Sequence, residues 1–208
     1  YINGDLKVTS TEGNFPNNTY TYGEDTDNTF NIGRVGYLDS QHWKGHIDEL
    51  AIWSVVLSDE DVSKLYNNGD DATDLSDADS YDTDRTDHLT HWWRMEEDTE
   101  NTVVNTVTPG VNDATMLPAD DRIPTVSQFV PSTAFTTNTY TAHFQGDGDN
   151  YLQTEYVAPT TTAISYSFWM KTSDTSSNMT LGPSDARPTA GVGSFRLLTL
   201  ANGNYYLV

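Results

Sequence analysis

The sequence predicts an all-β sandwich carrying one short helix, on three observations. Threonine, asparagine and aspartate crowd the 208-residue chain, a mixture of β-branched and turn-forming residues that suits short strands joined by polar turns. Ile164, Tyr166, Phe168 and Met170 alternate with Ser165, Ser167, Trp169 and Lys171, the period of a strand with one face in a core. One segment alone, SDEDVSKLYNNG (58–69), carries helix signals at both ends. A hydrophobic fraction of 36%, with 12% aromatic residues, is enough to build a folded core.

The elements follow in order. Asn3-Gly4-Asp5 supplies a hairpin turn, and FNIGRVG (30–36) and GHIDELAIW (45–53) read as strands. In the helical segment Ser58 is the N-cap, Asp61 completes a capping box, and Leu57 staples onto Val62. Gly69 is expected to close that helix after about three turns. The acidic first turn, Asp59 to Asp61, suits the positive end of the helix dipole. Asp70, Asp71, Asp74, Asp77, Asp79, Asp82, Asp84 and Asp87 then crowd one run. Its alternating pairs invite a calcium reading, but the glycine and closing glutamate of an EF-hand loop are missing, so a solvated linker is expected. Strand-like sequence resumes at HLTHWWRMEE (88–97) and continues through 139–157, 163–173 and 194–200, with a Ser-, Thr-, Gly- and Pro-rich loop over 172–193.

A formal charge of −21 repels phosphate backbones and anionic lipid, which argues against nucleic acid and membrane surfaces as partners and suits a salty, marine medium. There is no cysteine, so no disulfide framework. No apolar run approaches the roughly 20 residues of a membrane span. The first residue is Tyr1, inside what reads as a strand already under way, so the chain is expected to be a window on something longer.

Four stretches together resemble the laminin G-like (LamG) branch of the concanavalin A-like jelly-roll sandwiches. KGHIDELAIWSVVLSDEDVSKLYNNG (44–69) is similar to the family's closing strand and helix, and HWWRMEED (91–98) to its opening strand. HFQGDGDNYLQ (143–153) and ISYSFWMKTS (164–173) are similar to the hairpin and aromatic strand that follow. The resemblance implies a concanavalin A-like jelly-roll β-sandwich with one short helix. It makes residues 1–69 the C-terminal part of one sandwich, 70–87 an Asp-rich linker and 88–208 the N-terminal part of a second. One sandwich closed by its own permuted halves, or by a neighbouring chain, is the alternative. The helix end, the linker and the Trp-Trp-Arg-Met strand also resemble module junctions in virion proteins of marine bacteriophages.

Three candidate chemistries stand out. Glu96, Asp98 and Glu100 have the spacing that puts three carboxylates on one strand face, as in retaining glucanases, whose acid and nucleophile lie roughly 5 Å apart. The polar Glu97 and Thr99 leave that strand without an apolar anchor, so no catalytic residues are expected. Asp147 and Asp149 sit in the glycine-rich GDGDN, where backbone carbonyls and carboxylates can share Ca2+; a solvated turn is the competing reading. The resemblance implies a structural calcium near this hairpin, with Asp48 as a further ligand. The 5 histidines form no HExxH pattern; His88 and His91, beside Trp92 and Trp93, read as packing or surface residues rather than a metal or stacking site.

Asp48 and Glu49 are expected to mark a closing strand, with Asp48 bonding loop backbone or calcium and Leu50 and Ile52 following on its face. Trp43, Trp92, Trp93, Tyr205 and Tyr206 are available to stack on sugars, against the competing expectation that they fill the core. The expected function is a non-catalytic structural and adhesive module of an extracellular or virion-surface protein, such as a phage tail fibre or capsid decoration. It would assemble with copies of itself or other fibre subunits and contact cell-surface glycans. A secreted bacterial adhesin or carbohydrate-binding module, and then a glucanase, are the alternatives.

Overall fold

A computed structural model describes residues 1–7, 30–34, 42–69, 73–95, 102–117, 142–145, 151–155, 164–171, 178–179, 181–183, 197–199 and 205–207. The elements are β1 (Phe30–Ile32), β2 (Lys44–Trp53), α1 (Asp59–Tyr66), β3 (Leu89–Trp93), β4 (Thr102–Val103), β5 (Ala114–Leu117) and β6 (Ala142–Gln145). They continue with β7 (Tyr151–Thr154), β8 (Ser165–Lys171), β9 (Asn178–Met179), β10 (Leu181–Pro183), β11 (Leu197–Thr199) and β12 (Tyr205–Leu207). The described chain is thus mainly β with one α-helix, and every strand pairing in it is antiparallel.

One sheet runs β10-β1-β7-β5-β4, and β12-β11-β9 form another. The third is built around β2, whose first half pairs with β6 and second half with β3, while β8 runs along the opposite edge. The pairings cross the expected domain boundary: among the described residues, β1 and β2, from residues 30–53, pair with strands from residues 89–183.

The inner faces of the β1 and β2 sheets share one core. Phe30, Ile32 and Leu152 come from the five-stranded sheet, and Ile47, Leu50, Ile52, Trp93 and Phe144 from the other. Phe30 stacks on Tyr166 of β8 with ring centroids 6.3 Å apart. Gly33, at φ +90°, lets the backbone pass the Phe144 ring; a Cβ there would lie 2.5 Å from it. The alternation read in β8 is realised, with Ile164, Tyr166, Phe168 and Met170 packed against this core.

A second core covers the outer face of β2. Ala51, Trp53 and Trp92 meet Leu57 and Leu65, and Leu75, Tyr81 and Leu89 complete the cluster. The Asp-rich run is therefore more than a solvated linker. Most of its aspartates between 73 and 88 face solvent, but Leu75 and Tyr81 are 7% and 2% exposed and anchor it beneath α1. Two apolar side chains suffice because each buries enough surface to contribute about 1.5–3 kcal/mol.

The helix is shorter than its sequence suggests. Ser58 and Asp61 form the expected capping box, but the chain leaves the helix at Asn67, at φ 45° and ψ 42°, before Gly69 is reached. Asparagine tolerates the left-handed conformation, and here its N–H donates to Ser63 and Lys64 carbonyls. The expected turn at Asn3-Gly4 is present, with both residues at positive φ and Ile2 and Asp5 exchanging backbone hydrogen bonds of 2.9 and 3.1 Å.

Candidate functional site at the Asp48–Glu49 bulge

β2 carries one extra residue against β8 between Asp48 and Ala51, where the register steps from Asp48↔Trp169 to Ala51↔Ser167. Glu49 absorbs the step at φ +51°, a conformation an L-residue adopts at a cost. The bulge shifts the strand's phase. Ile47 faces the inner core, as do Leu50 and Ile52, whereas Ala51 and Trp53 face the outer one.

This corrects the expected placement of Asp48. It does not share a face with Leu50 and Ile52: it follows the inward Ile47 and lies opposite Trp169, which stacks on Tyr66 of α1 at 5.8 Å. Asp48 is 4% exposed, and its Oδ1 accepts the Glu49 backbone N–H at 3.0 Å, so it bonds the strand's own bulge. Glu49, 5% exposed, accepts from the Trp92 indole N–H through Oε2, and Arg94 Nε lies 3.6 Å from Oε1. The Arg94 guanidinium sits 4.9 Å from the Trp92 ring centroid, so acid, indole and guanidinium form one packed unit.

Asp61 is a heavily bonded, fully buried carboxylate. Beyond its capping role it accepts Asp82 N–H at 2.9 Å, Thr83 N–H at 3.3 Å and Arg85 Nε–H at 3.0 Å. Burial works to raise its pKa, but the Ser58, Arg85, Thr83 and Asp82 hydrogen bonds to the charged form outweigh it and bring the value down to about 2. Tyr81 ties the same layer to β2: its hydroxyl donates to Leu75 O at 2.7 Å and accepts from Trp53 Nε1 at 3.3 Å. Burial pushes the Tyr81 phenol up to about 12.

The aspartate spacing has a local cause. Asp74, Asp77 and Asp84 each accept the backbone N–H two residues on, from Ser76, Asp79 and Thr86 at 2.9, 3.0 and 2.9 Å. These are Asx turns, which hold the irregular cover in place without regular secondary structure. A shallow polar groove of about 450 Å³ lies between this cover and α1, lined by Lys64, Asn67, Asn68, Asp77 and Asp79 among others.

Asp147 and Asp149 lie outside the described residues, as do Glu96, Asp98 and Glu100. Among the described residues no three His, Cys, Asp or Glu side chains converge as a metal site. Trp43, Trp92 and Trp93 are 0%, 6% and 0% exposed, so these three fill cores rather than offer a sugar platform. Burial of His91 drops its pKa to about 4; it stacks on Trp93 at 5.2 Å, with Nε2 3.0 Å from Asn112 Nδ2.

Sequence reasoning missed Arg94 and Asn105. Asn105, fully buried, accepts Trp92 N–H at 3.0 Å and donates to Thr108 Oγ1 and Val111 O at 2.9 and 3.1 Å, fixing the loop from 104 to 113. An asparagine at the head of NTVTPGVND carries no signal that separates this role from an ordinary turn. No protein-family model matches the chain, and no curated protein or solved structure matches it either.

Proposed function

We propose that the chain is a non-catalytic structural and adhesive module of an extracellular or virion protein, a phage fibre or capsid decoration. It works by assembling with neighbouring subunits and by contacting host-surface glycans. One observation supports the structural part: Asp48, Glu49 and Asp61, the buried carboxylates of the described residues, each accept hydrogen bonds from groups that hold the fold. An acid or nucleophile needs a free oxygen aimed at a substrate; these are spent on amides, an indole and a guanidinium.

The architecture read from the motifs is a concanavalin A-like jelly roll. The pairing of strands from residues 30–53 with strands from 89–183 supports a single sandwich closed by two permuted halves over one divided between two domains. The setting rests on the charge of −21 and on the motif resemblance to virion modules. Structural calcium at Asp147 and Asp149, with Asp48 alongside, belongs to the same reading.

The test is direct. Sedimentation of the purified chain with and without calcium, and binding to a glycan array, are expected to give self-association, glycan capture or both, with no cleavage of any arrayed polysaccharide. Cleavage that is lost on Glu96→Gln would replace this reading with the glucanase one. A monomer that captures no glycan at micromolar concentration would remove the adhesive and assembly roles together.

A further inference from the structure

The outward face of the five-stranded sheet carries a row of uncharged polar side chains in matched register. Asn31 of β1 is paired with Gln153 of β7, Gln153 with Thr115 of β5, and Thr115 with Thr102 of β4. Their strand neighbours Phe30, Ile32, Leu152, Ala114 and Val103 all belong to the inner core, so the four hold the opposite face. Exposure rises from Asn31, at 1%, through the partly buried Gln153 to Thr115, which is open to solvent. Tyr151, two residues before Gln153, flanks the row on the same face, with the Arg34 guanidinium 4.1 Å from its ring centroid.

The buried end of this row holds an unmet bond. Asn31 Oδ1 accepts from Gln153 Nε2 at 3.2 Å, which fixes the amide's orientation, and among the described residues nothing accepts from Asn31 Nδ2. A buried amide donor without a partner costs stability, and interiors ordinarily avoid it. Kept at the head of a row that opens to solvent, it marks a place for a ligand oxygen.

We propose that the row is a subsite for a neutral, linear glycan laid across the strands, an inference that rests on the adhesive function proposed above. Neighbouring strands stand about 4.8 Å apart, close to the length of one pyranose unit along a chain, so successive sugars meet successive side chains. Two adjacent sugar hydroxyls present one donor and one acceptor, which match Oδ1 and Nδ2 of a single amide. On binding they displace the long Gln153 bond and pair Nδ2 as well. The Thr115 and Thr102 hydroxyls continue the same chemistry toward the open end, and Tyr151 supplies apolar surface for the C–H faces of the sugars. The row itself carries no charge, and the chain's −21 disfavours anionic glycans, so the ligand is neutral.

An array of neutral linear oligosaccharides, cellohexaose, mannohexaose and maltohexaose among them, followed by calorimetry on those captured, tests this. At least one is expected to bind. Thr115→Arg places bulk and charge on an exposed position of the row and is expected to weaken that binding at least about tenfold, with Asp77→Asn, in the cover of the other sheet, leaving it unchanged. Asn31→Leu distinguishes a binding amide from a structural one. It is expected to abolish binding while raising the midpoint of thermal unfolding, because the unmet donor is gone. A lowered midpoint would assign Asn31 to the fold and overturn its part in the site. Binding that survives Thr115→Arg would overturn the site and leave the adhesive function standing elsewhere on the molecule, whereas capture of no oligosaccharide would remove both.

Discussion

On the inner face of β2, Ile47, Leu50 and Ile52 meet the apolar face of the five-stranded sheet, with Trp93 and Phe144 alongside. On its outer face Ala51 and Trp53 meet a cover made of α1 and the 73–88 run. The inner core is held by shape and apolar area. The outer one is smaller, and to its apolar contacts it adds a set of directed bonds, chiefly those to Asp61 and Tyr81. A residue at the inner face should therefore fail through lost volume, and one at the outer face through lost partners.

The largest effect is expected inside. Phe144→Ala removes a fully buried ring packed over Gly33 and should destabilise by about 3–5 kcal/mol, read from urea unfolding followed by tryptophan fluorescence. Asp61→Ala is expected to cost about 3 kcal/mol, since it strands Arg85 and two backbone amides and breaks the capping box. Phe144→Leu should recover much of the inner loss, whereas Asp61→Asn, the same shape without charge, should recover little of the outer one.

Acid separates the two regions a second way. Asp61 has a folded pKa of about 2 against about 3.9 unfolded, so its stabilisation is complete above about pH 4 and is lost as pH falls toward 2. His91 also has a lowered value, about 4 against about 6.5 unfolded, and must remain neutral to accept from Asn112. Its contribution is complete above about pH 6.5 and is lost as pH falls toward 4. Denaturant melts at stepped pH should show both slopes, with His91→Gln flattening the upper window and Asp61→Asn the lower.

Tyr81→Phe sharpens the contrast at intermediate size. The ring stays, so the packing against Trp53 at 6.5 Å survives, but the hydroxyl that joins Leu75 O to the Trp53 indole is gone. About 1–2 kcal/mol is expected, measured by chemical unfolding, because both partners are buried and left unpaired. A null result would mean the cover is held by area after all.

The same contrast marks what was legible in the sequence. The alternation in β8, the capping box and the Asn3-Gly4 turn are local, and each could be read from neighbouring residues. The bulge could not, because it places a glutamate at φ +51° where a glycine would have announced it. Its consequence was the misplaced face of Asp48. The role of 73–88 was hidden for another reason: Leu75 and Tyr81 are two apolar residues among aspartates, and only the β2 surface brought beneath them makes them a core. Arg94 on Glu49 depends on strand pairing between residues 45 apart, which no local pattern encodes.

The smallest effect tests whether the aspartates of the cover act as turn-formers or as a charge cluster. Asp77→Ala removes the acceptor of the Asp79 N–H at 3.0 Å and should cost about 0.5–1 kcal/mol, as loss of an exposed cap does. Asp77→Asn keeps the acceptor and discards the charge, so it should be nearly neutral if the Asx turn matters. If self-repulsion dominates this face, both substitutions should stabilise, and by amounts that shrink as salt rises. Thermal melts of the two variants at low and high salt distinguish the cases. Asp74 and Asp84 bond the chain in the same pattern, so the sign found at Asp77 decides how the whole run is read.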